Sequence, residues 1–153
     1  MAELELLKGI EGAWQGKNRL QLSADEDVRE SDSFIIVAPI ILGKFHQINY
    51  TWVDEGQPQA GLLMLGYNNN LEMAMAVWLD SWHTSEQFMH LEGSIEESGM
   101  LNFKGSYTAP SGPDWGWRIT LQVDDNESFL ITMYNITPDG EELWAVKGVY
   151  ERS

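Results

Sequence analysis

Trp115-Gly116-Trp117-Arg118-Ile119-Thr120-Leu121-Gln122-Val123 is the stretch that decides the fold. In an extended chain successive side chains point to opposite faces. Trp115, Trp117, Ile119, Leu121 and Val123 then share one apolar face, while Gly116, Arg118, Thr120 and Gln122 share the other. A helical period would scatter the same residues around a cylinder. The alternation reads as a half-buried antiparallel strand with its Trp face turned inward. Outward from it the period recurs. Leu101, Phe103, Gly105 and Tyr107 stand opposite Asn102, Lys104 and Ser106; Ile48, Tyr50 and Trp52 align; Trp144, Val146, Gly148 and Tyr150 align, with Arg152 continuing their parity. Over 72–81 both parities are apolar, Met73, Met75, Val77 and Leu79 against Ala74, Ala76 and Trp78, so a cover over that strand's outer face is expected.

Clusters of Gly, Pro, Asn, Asp and Ser punctuate the chain, among them Asp54-Glu55-Gly56-Gln57-Pro58, Asn68-Asn69-Asn70, Pro110-Ser111-Gly112-Pro113 and Pro138-Asp139-Gly140. Between them strands are predicted near 12–22, 28–37, 43–53, 60–67, 72–81, 87–94, 100–108, 115–123, 127–136 and 142–151. Ten sequential strands joined by short turns protect their edges most economically by closing into an up-and-down antiparallel barrel; a two-sheet sandwich is the alternative. Ahead of them Leu4, Leu6, Leu7 and Ile10 follow helical spacing, with Gly9 and Gly12 as stops, which predicts a short N-terminal helix. No linker or composition break divides the chain, so 1–153 is expected to be one domain.

The charge is 9 basic against 24 acidic side chains, −15 in all, which disfavours nucleic acid and anionic membrane as partners. There is no cysteine, which excludes disulfides, thiolate nucleophiles and iron–sulfur ligation. Glu3 and Glu5 occupy the place where a secretory signal needs positive charge, and the most apolar run, 34–42, contains Pro39 and falls short of the ~20 residues of a membrane span. A cytoplasmic location is the expectation.

Gly12-Ala13-Trp14, directly after a short helix and opening the first strand, resembles the Gly-X-Trp start of lipocalins and the wider calycin superfamily. In that superfamily the Trp packs at the closed end of the barrel beneath a basic side chain of the last strand, and Arg152 has the matching position; the resemblance implies a structural pair, Trp14 and Arg152. Over nearly the whole chain the order of segments resembles the bacterial family called domain of unknown function 1579. The matching stretches are Leu7 to Gly16, Gly43-Lys44-Phe45, Gly61 to Tyr67, Trp78-Leu79-Asp80-Ser81 and Val149-Tyr150-Glu151-Arg152, with Asn68 where an acidic residue is usual. The resemblance implies a calycin-like barrel, similar to lipocalins and fatty-acid-binding proteins, and brings no catalytic residue. Some calycin relatives hold haem through a His near the chain end; the last His here is His90, so no haem and no other cofactor is expected.

With 7 Trp, 5 Tyr and 5 Phe, the barrel is expected to line an interior that binds a small hydrophobic or amphipathic ligand among Tyr50, Trp52, Phe103, Tyr107, Trp117, Trp144 and His90. Asn18, Arg118 and Lys147 are strand-borne polar groups able to orient a ligand carbonyl or carboxylate if they face inward. An enzyme is the first alternative, with His83 or His90 shuttling protons beside Asp80 or Glu92. Gly-x-Ser-x-Gly and the phosphate-binding glycine motifs are absent. The acidic pairs Asp54-Glu55, Glu96-Glu97, Asp124-Asp125 and Glu141-Glu142 read as hydrated turns. A second alternative is an interaction module, a homodimer that buries the outer face of Met73, Met75, Val77 and Leu79.

Overall fold

A computed structural model describes residues 2–153, with backbone alone for 2–4, so the side chain of the expected helix position Leu4 lies outside the described residues. Helix α1 (Ala2–Gly9) is followed by β1 (Gly12–Leu20), β2 (Arg29–Ile40), β3 (Phe45–Asp54), β4 (Gln57–Asn68) and β5 (Met73–Asp80). The chain continues with β6 (Met89–Ile95), β7 (Leu101–Tyr107), β8 (Trp115–Asp125), β9 (Ser128–Ile136) and β10 (Glu142–Arg152). Each strand pairs antiparallel with its sequence neighbour, and β1 pairs with β10 from Trp14↔Arg152 to Leu20↔Val146, closing the barrel. The sandwich alternative is thereby set aside. Two strands outrun their expected bounds through proline. Pro39 and Pro58 sit near the ends of β2 and β4, where a missing N–H costs least.

Alternation puts one parity of every strand in the core. From β8, Trp117, Ile119 and Leu121 are buried and meet Phe103 and Leu101 of β7 and Met133 and Ile131 of β9. Helix α1 shuts one end by burying Leu7 and, just beyond it, Ile10. There Trp14 Nε1 donates to the Ile10 carbonyl at 2.8 Å, and the Trp14 ring meets Phe129 edge-on at 4.6 Å. The Arg152 guanidinium lies 4.4 Å over the Trp14 ring and donates to the carbonyls of Gly9 and Glu11, both at 2.7 Å, which satisfies acceptors that the end of α1 leaves unpaired.

One expectation about facing changes. A bulge between Trp144 and Val146 shifts the register, so Val146, Gly148 and Tyr150 face the core while Trp144 pairs with Tyr134 on the outer surface, its ring beneath Lys147 Nζ at 4.3 Å. Arg118 faces outward, as its parity opposite Trp117 predicts, over Tyr134 and paired with Glu142. On β5 the inward set is Ala74, Ala76, Trp78 and Asp80. The opposite set lies half-buried at Met73, Met75 and Val77 and exposed at Leu79, alongside Leu62 and Met64 of β4 on the barrel wall.

The wall is least complete between β6 and β7. Their register has four pairs, Glu92↔Lys104 to Ile95↔Leu101, against seven between β7 and β8. A Cβ on Gly93 would stand 1.8 Å from the Asn102 carbonyl oxygen, so the two strands approach there as only glycine permits. Beyond that point, toward the end opposite α1, residues 89–91 and 105–107 lie outside the paired register.

Candidate functional site at the open end

Opposite α1 the barrel mouth opens into a cleft of about 1580 Å³. Its apolar surface comes from Trp78, Trp82, Phe88, Trp115, Trp117 and Tyr107, and it reaches the outward-facing His90, Glu92 and Lys104 where β6 and β7 part. Its base is made by the turn after β5, and that turn is built around one carboxylate.

Asp80 continues the inward parity of Ala74, Ala76 and Trp78, and its side chain is buried. Oδ2 accepts the Tyr50 hydroxyl at 2.6 Å and Trp52 Nε1 at 3.2 Å; Oδ1 accepts the backbone N–H groups of Trp82 at 2.8 Å and His83 at 2.9 Å. The Asp80 backbone is held as well, since its N–H donates to Thr84 Oγ1 and its carbonyl accepts the N–H groups of Thr84 and Ser85. Trp78 Nε1 donates to the Tyr50 hydroxyl oxygen at 2.8 Å, completing the chain of donors. A Cβ on Gly61 would stand 2.1 Å from Tyr50 Cζ, so glycine there is what lets the phenol reach Asp80. Burial and the Asp80 charge together push the Tyr50 hydroxyl well above its ordinary pKa and keep it a donor.

This clamp turns residues 81–85 back into the barrel mouth and sets the His83 imidazole among four indoles. Ring centroids lie 5.6 Å from Trp52, 5.6 Å from Trp78, 4.7 Å from Trp82 and 5.5 Å from Trp117, and Trp78 stacks on Trp117 at 5.1 Å. Desolvation by these rings lowers the His83 pKa below 6.5 against the opposing pull of the Asp80 and Asp54 carboxylates, so the ring is neutral at neutral pH. Among the described residues neither His83 ring nitrogen has a hydrogen-bond partner, and the buried Trp117 Nε1 has none either.

The sequence-predicted ligand residues divide by place. Tyr107, Trp117 and His90 line the cleft, and Tyr107 donates to Asn135 Oδ1 at 2.6 Å. Tyr50 and Trp52 stand beneath it, around Asp80. Phe103 is 1 % exposed and packed in the core away from the cleft, and Trp144 is on the outer wall. Sequence reasoning passed over Trp78, Trp82 and Trp115 as ligand contacts. The parity 74, 76, 78, 80, running an Asp into the core beside three Trp within 78–82 and 52, is the signal that finds the clamp.

The acid–base group imagined from the sequence is not assembled. His83 faces the mouth, His90 and Glu92 lie on the outside of β6, and both Asp80 oxygens are occupied by donors. Asp54, expected as a hydrated turn residue, is 8 % exposed and bonded to Arg29 at 2.9 and 3.2 Å. Among the described residues no group of three His, Asp or Glu is placed to hold a metal ion, and no helix is long and apolar enough to cross a membrane.

Solved structures of other proteins share this architecture. Rv2717c from M. tuberculosis superposes with a TM-score of 0.66 at 13 % identity over 98 % of this chain and 96 % of that one. The S-type phycobiliprotein lyase CPES from Guillardia theta gives 0.67 at 13 % identity over 100 % and 93 %. At this identity the likeness is one of fold. No curated protein matches the sequence. The model of a family described as protein of unknown function, DUF1579, matches residues 1–152, so the chain is a member of the DUF1579 family.

Proposed function

We propose that this calycin-like barrel binds a small, flat, hydrophobic or amphipathic molecule in the cleft at its open end, stacked on the Trp78–Trp117 pair and capped by Trp82 and His83. The observation that carries the reading is the indole-lined mouth itself, about 1580 Å³, set on a floor clamped by the Asp80 network. A floor held in place by the buried hydrogen bonds of Asp80 lowers the ordering cost of binding. Burying about 300 Å² of apolar ligand surface at ~25 cal/mol per Å² supplies about 7 kcal/mol, the scale of micromolar affinity before ordering costs. The likeness to a phycobiliprotein lyase supports a small-molecule role. The room for a ligand is at the mouth rather than in the deep interior, where Phe103 and its neighbours fill the space.

Native mass spectrometry of gently purified full-length protein, followed by denaturing extraction, tests this. A stoichiometric small molecule that is lost from a Trp117→Ala variant is the expected result. A co-purifying molecule indifferent to Trp117, or a wild-type protein that takes up no aromatic probe at millimolar concentration, would contradict it.

A further inference from the structure

Beside His83 lies a second, small space that the aromatic cleft does not explain. Its volume is about 20 Å³, room for roughly one water-sized group. Asn18, Tyr50, Trp52, Asp80, His83 and Tyr150 line it, with apolar side chains of β9 and β10 behind them. His83 lines both this chamber and the cleft, so one imidazole is the partition between them.

The walls of this space are largely apolar, and its polar groups are few. Asn18 is 6 % exposed, comes from the inward parity of β1, and among the described residues its amide makes no hydrogen bond. The other polar groups are engaged: Tyr50 and Trp52 donate to Asp80, and Tyr150 shares a 2.9 Å hydrogen bond with Ser33. An amide with no protein partner is free to bond whatever occupies the space beside it. No Lys or Arg reaches the chamber, and the one charge on its wall is the Asp80 carboxylate. An anionic group would lie beside a buried negative charge with no cation to offset it. A cationic group would find both Asp80 oxygens already filled by four donors. What the walls still offer is an amide and an imidazole nitrogen, donors and acceptors without charge.

We infer that this chamber is the head-group subsite of the cleft and that it selects an uncharged hydrogen-bonding group, a carbonyl or amide, carried on a flat aromatic body. The inference rests on the ligand-binding reading above and specifies its chemistry. His83 is held by ring packing alone, so its imidazole swings aside without breaking a hydrogen bond, while the backbone beneath it stays fixed by Asp80. The flat body then stacks on Trp78 and Trp117, and the head reaches Asn18.

The test is a matched trio of probes on the full-length protein at pH 7.5: 2-naphthamide, 2-naphthoate and 2-naphthylmethylammonium, followed by isothermal titration calorimetry. The amide is expected to bind about tenfold tighter than either charged analogue, the scale of one well-made hydrogen bond plus rejection of the charge. Asn18→Leu is expected to weaken the amide about fivefold and to leave the ammonium probe unchanged within about twofold, while His83→Phe, which also alters the cap of the cleft, is expected to weaken the amide more than the ammonium. Circular dichroism establishes that each variant is folded, and the ranking in the wild type decides on its own if a variant is not. Equal affinity for all three probes, or an amide affinity untouched by both variants, overturns the subsite while leaving the cleft as a binding site. Failure of all three probes to bind overturns the subsite and the cleft reading together.

Discussion

Replacing Asp80 by Asn is the sharpest perturbation of the site, because it keeps the shape and changes the donor count. In the wild type, Oδ2 accepts from Tyr50 and Trp52, and Oδ1 accepts from the backbone N–H groups of Trp82 and His83. An amide has one oxygen, so whichever way it is turned an NH₂ group faces two donors. The less costly orientation keeps the oxygen toward the buried phenol and indole and turns NH₂ toward the N–H groups of the turn. Two hydrogen bonds to a charged acceptor are lost, each worth about 1.5–3 kcal/mol, and water reaching the turn returns part of it; the net loss is about 3 kcal/mol. For 153 residues 1 kcal/mol corresponds to about 3 °C, so the melting temperature should fall by about 9 °C. Thermal unfolding followed by far-UV circular dichroism measures this, and the near-UV spectrum should lose intensity because His83 and Trp82 leave the indole cluster. A fall under about 3 °C with an unchanged near-UV spectrum would show that Asp80 does not hold the turn.

Other outcomes follow from the same contacts. His83 is half-buried and packed against indoles that lower its pKa below 6.5, so the unfolded chain takes up its proton first; stability is full above pH 6.5, declines as pH falls below it, and should decline less in His83→Phe when measured by urea unfolding at stepped pH. Tyr150 is pushed up to about 12 by burial and Tyr50 is raised as well, so stability is full below pH 10 and is lost as the pH rises toward 12; absorbance at alkaline pH should show these two phenols ionising only with unfolding. Gly61→Ala drives a methyl group into the Tyr50 ring and should cost about 2 kcal/mol in chemical denaturation, with the same near-UV loss as Asp80→Asn. Arg152→Lys keeps the charge and loses the forked donation to Gly9 and Glu11; a destabilisation of about 1–2 kcal/mol with unchanged ligand binding is expected, and a change in binding would place Arg152 outside its role at the closed end.

The strands were legible because each carries its own alternation and is bounded by turn residues, as 115–123 shows at once. Closure was legible only as an economy of edges, since the pairing of Trp14 with Arg152 joins residues at opposite ends of the chain. Trp144 was misplaced because a single extra residue in β10 reverses parity, and nothing in Leu143-Trp144-Ala145-Val146 marks where the extra residue falls. The site was half legible. Tyr50, Trp52 and Trp117 follow from strand parity, but the inward fold of Trp82 and His83 depends on a carboxylate bonded to side chains 28 and 30 residues away, a long-range contact that local pattern does not encode. Asn18 read only as a strand-borne polar group able to orient a ligand if it faced inward, and only the geometry of β10 and the His83 turn shows the space it faces.

The most direct measurement is a two-dimensional ¹H–¹⁵N spectrum of the seven indole N–H groups during titration with 2-naphthol. Binding at the open end should move the signals of Trp78, Trp82, Trp115 and Trp117 together along one saturating curve and leave that of Trp14, sealed beneath Arg152 at the closed end, in place. Signals that do not move at millimolar probe, or a Trp14 signal that moves as far as the others, would contradict a ligand site in the indole-lined mouth.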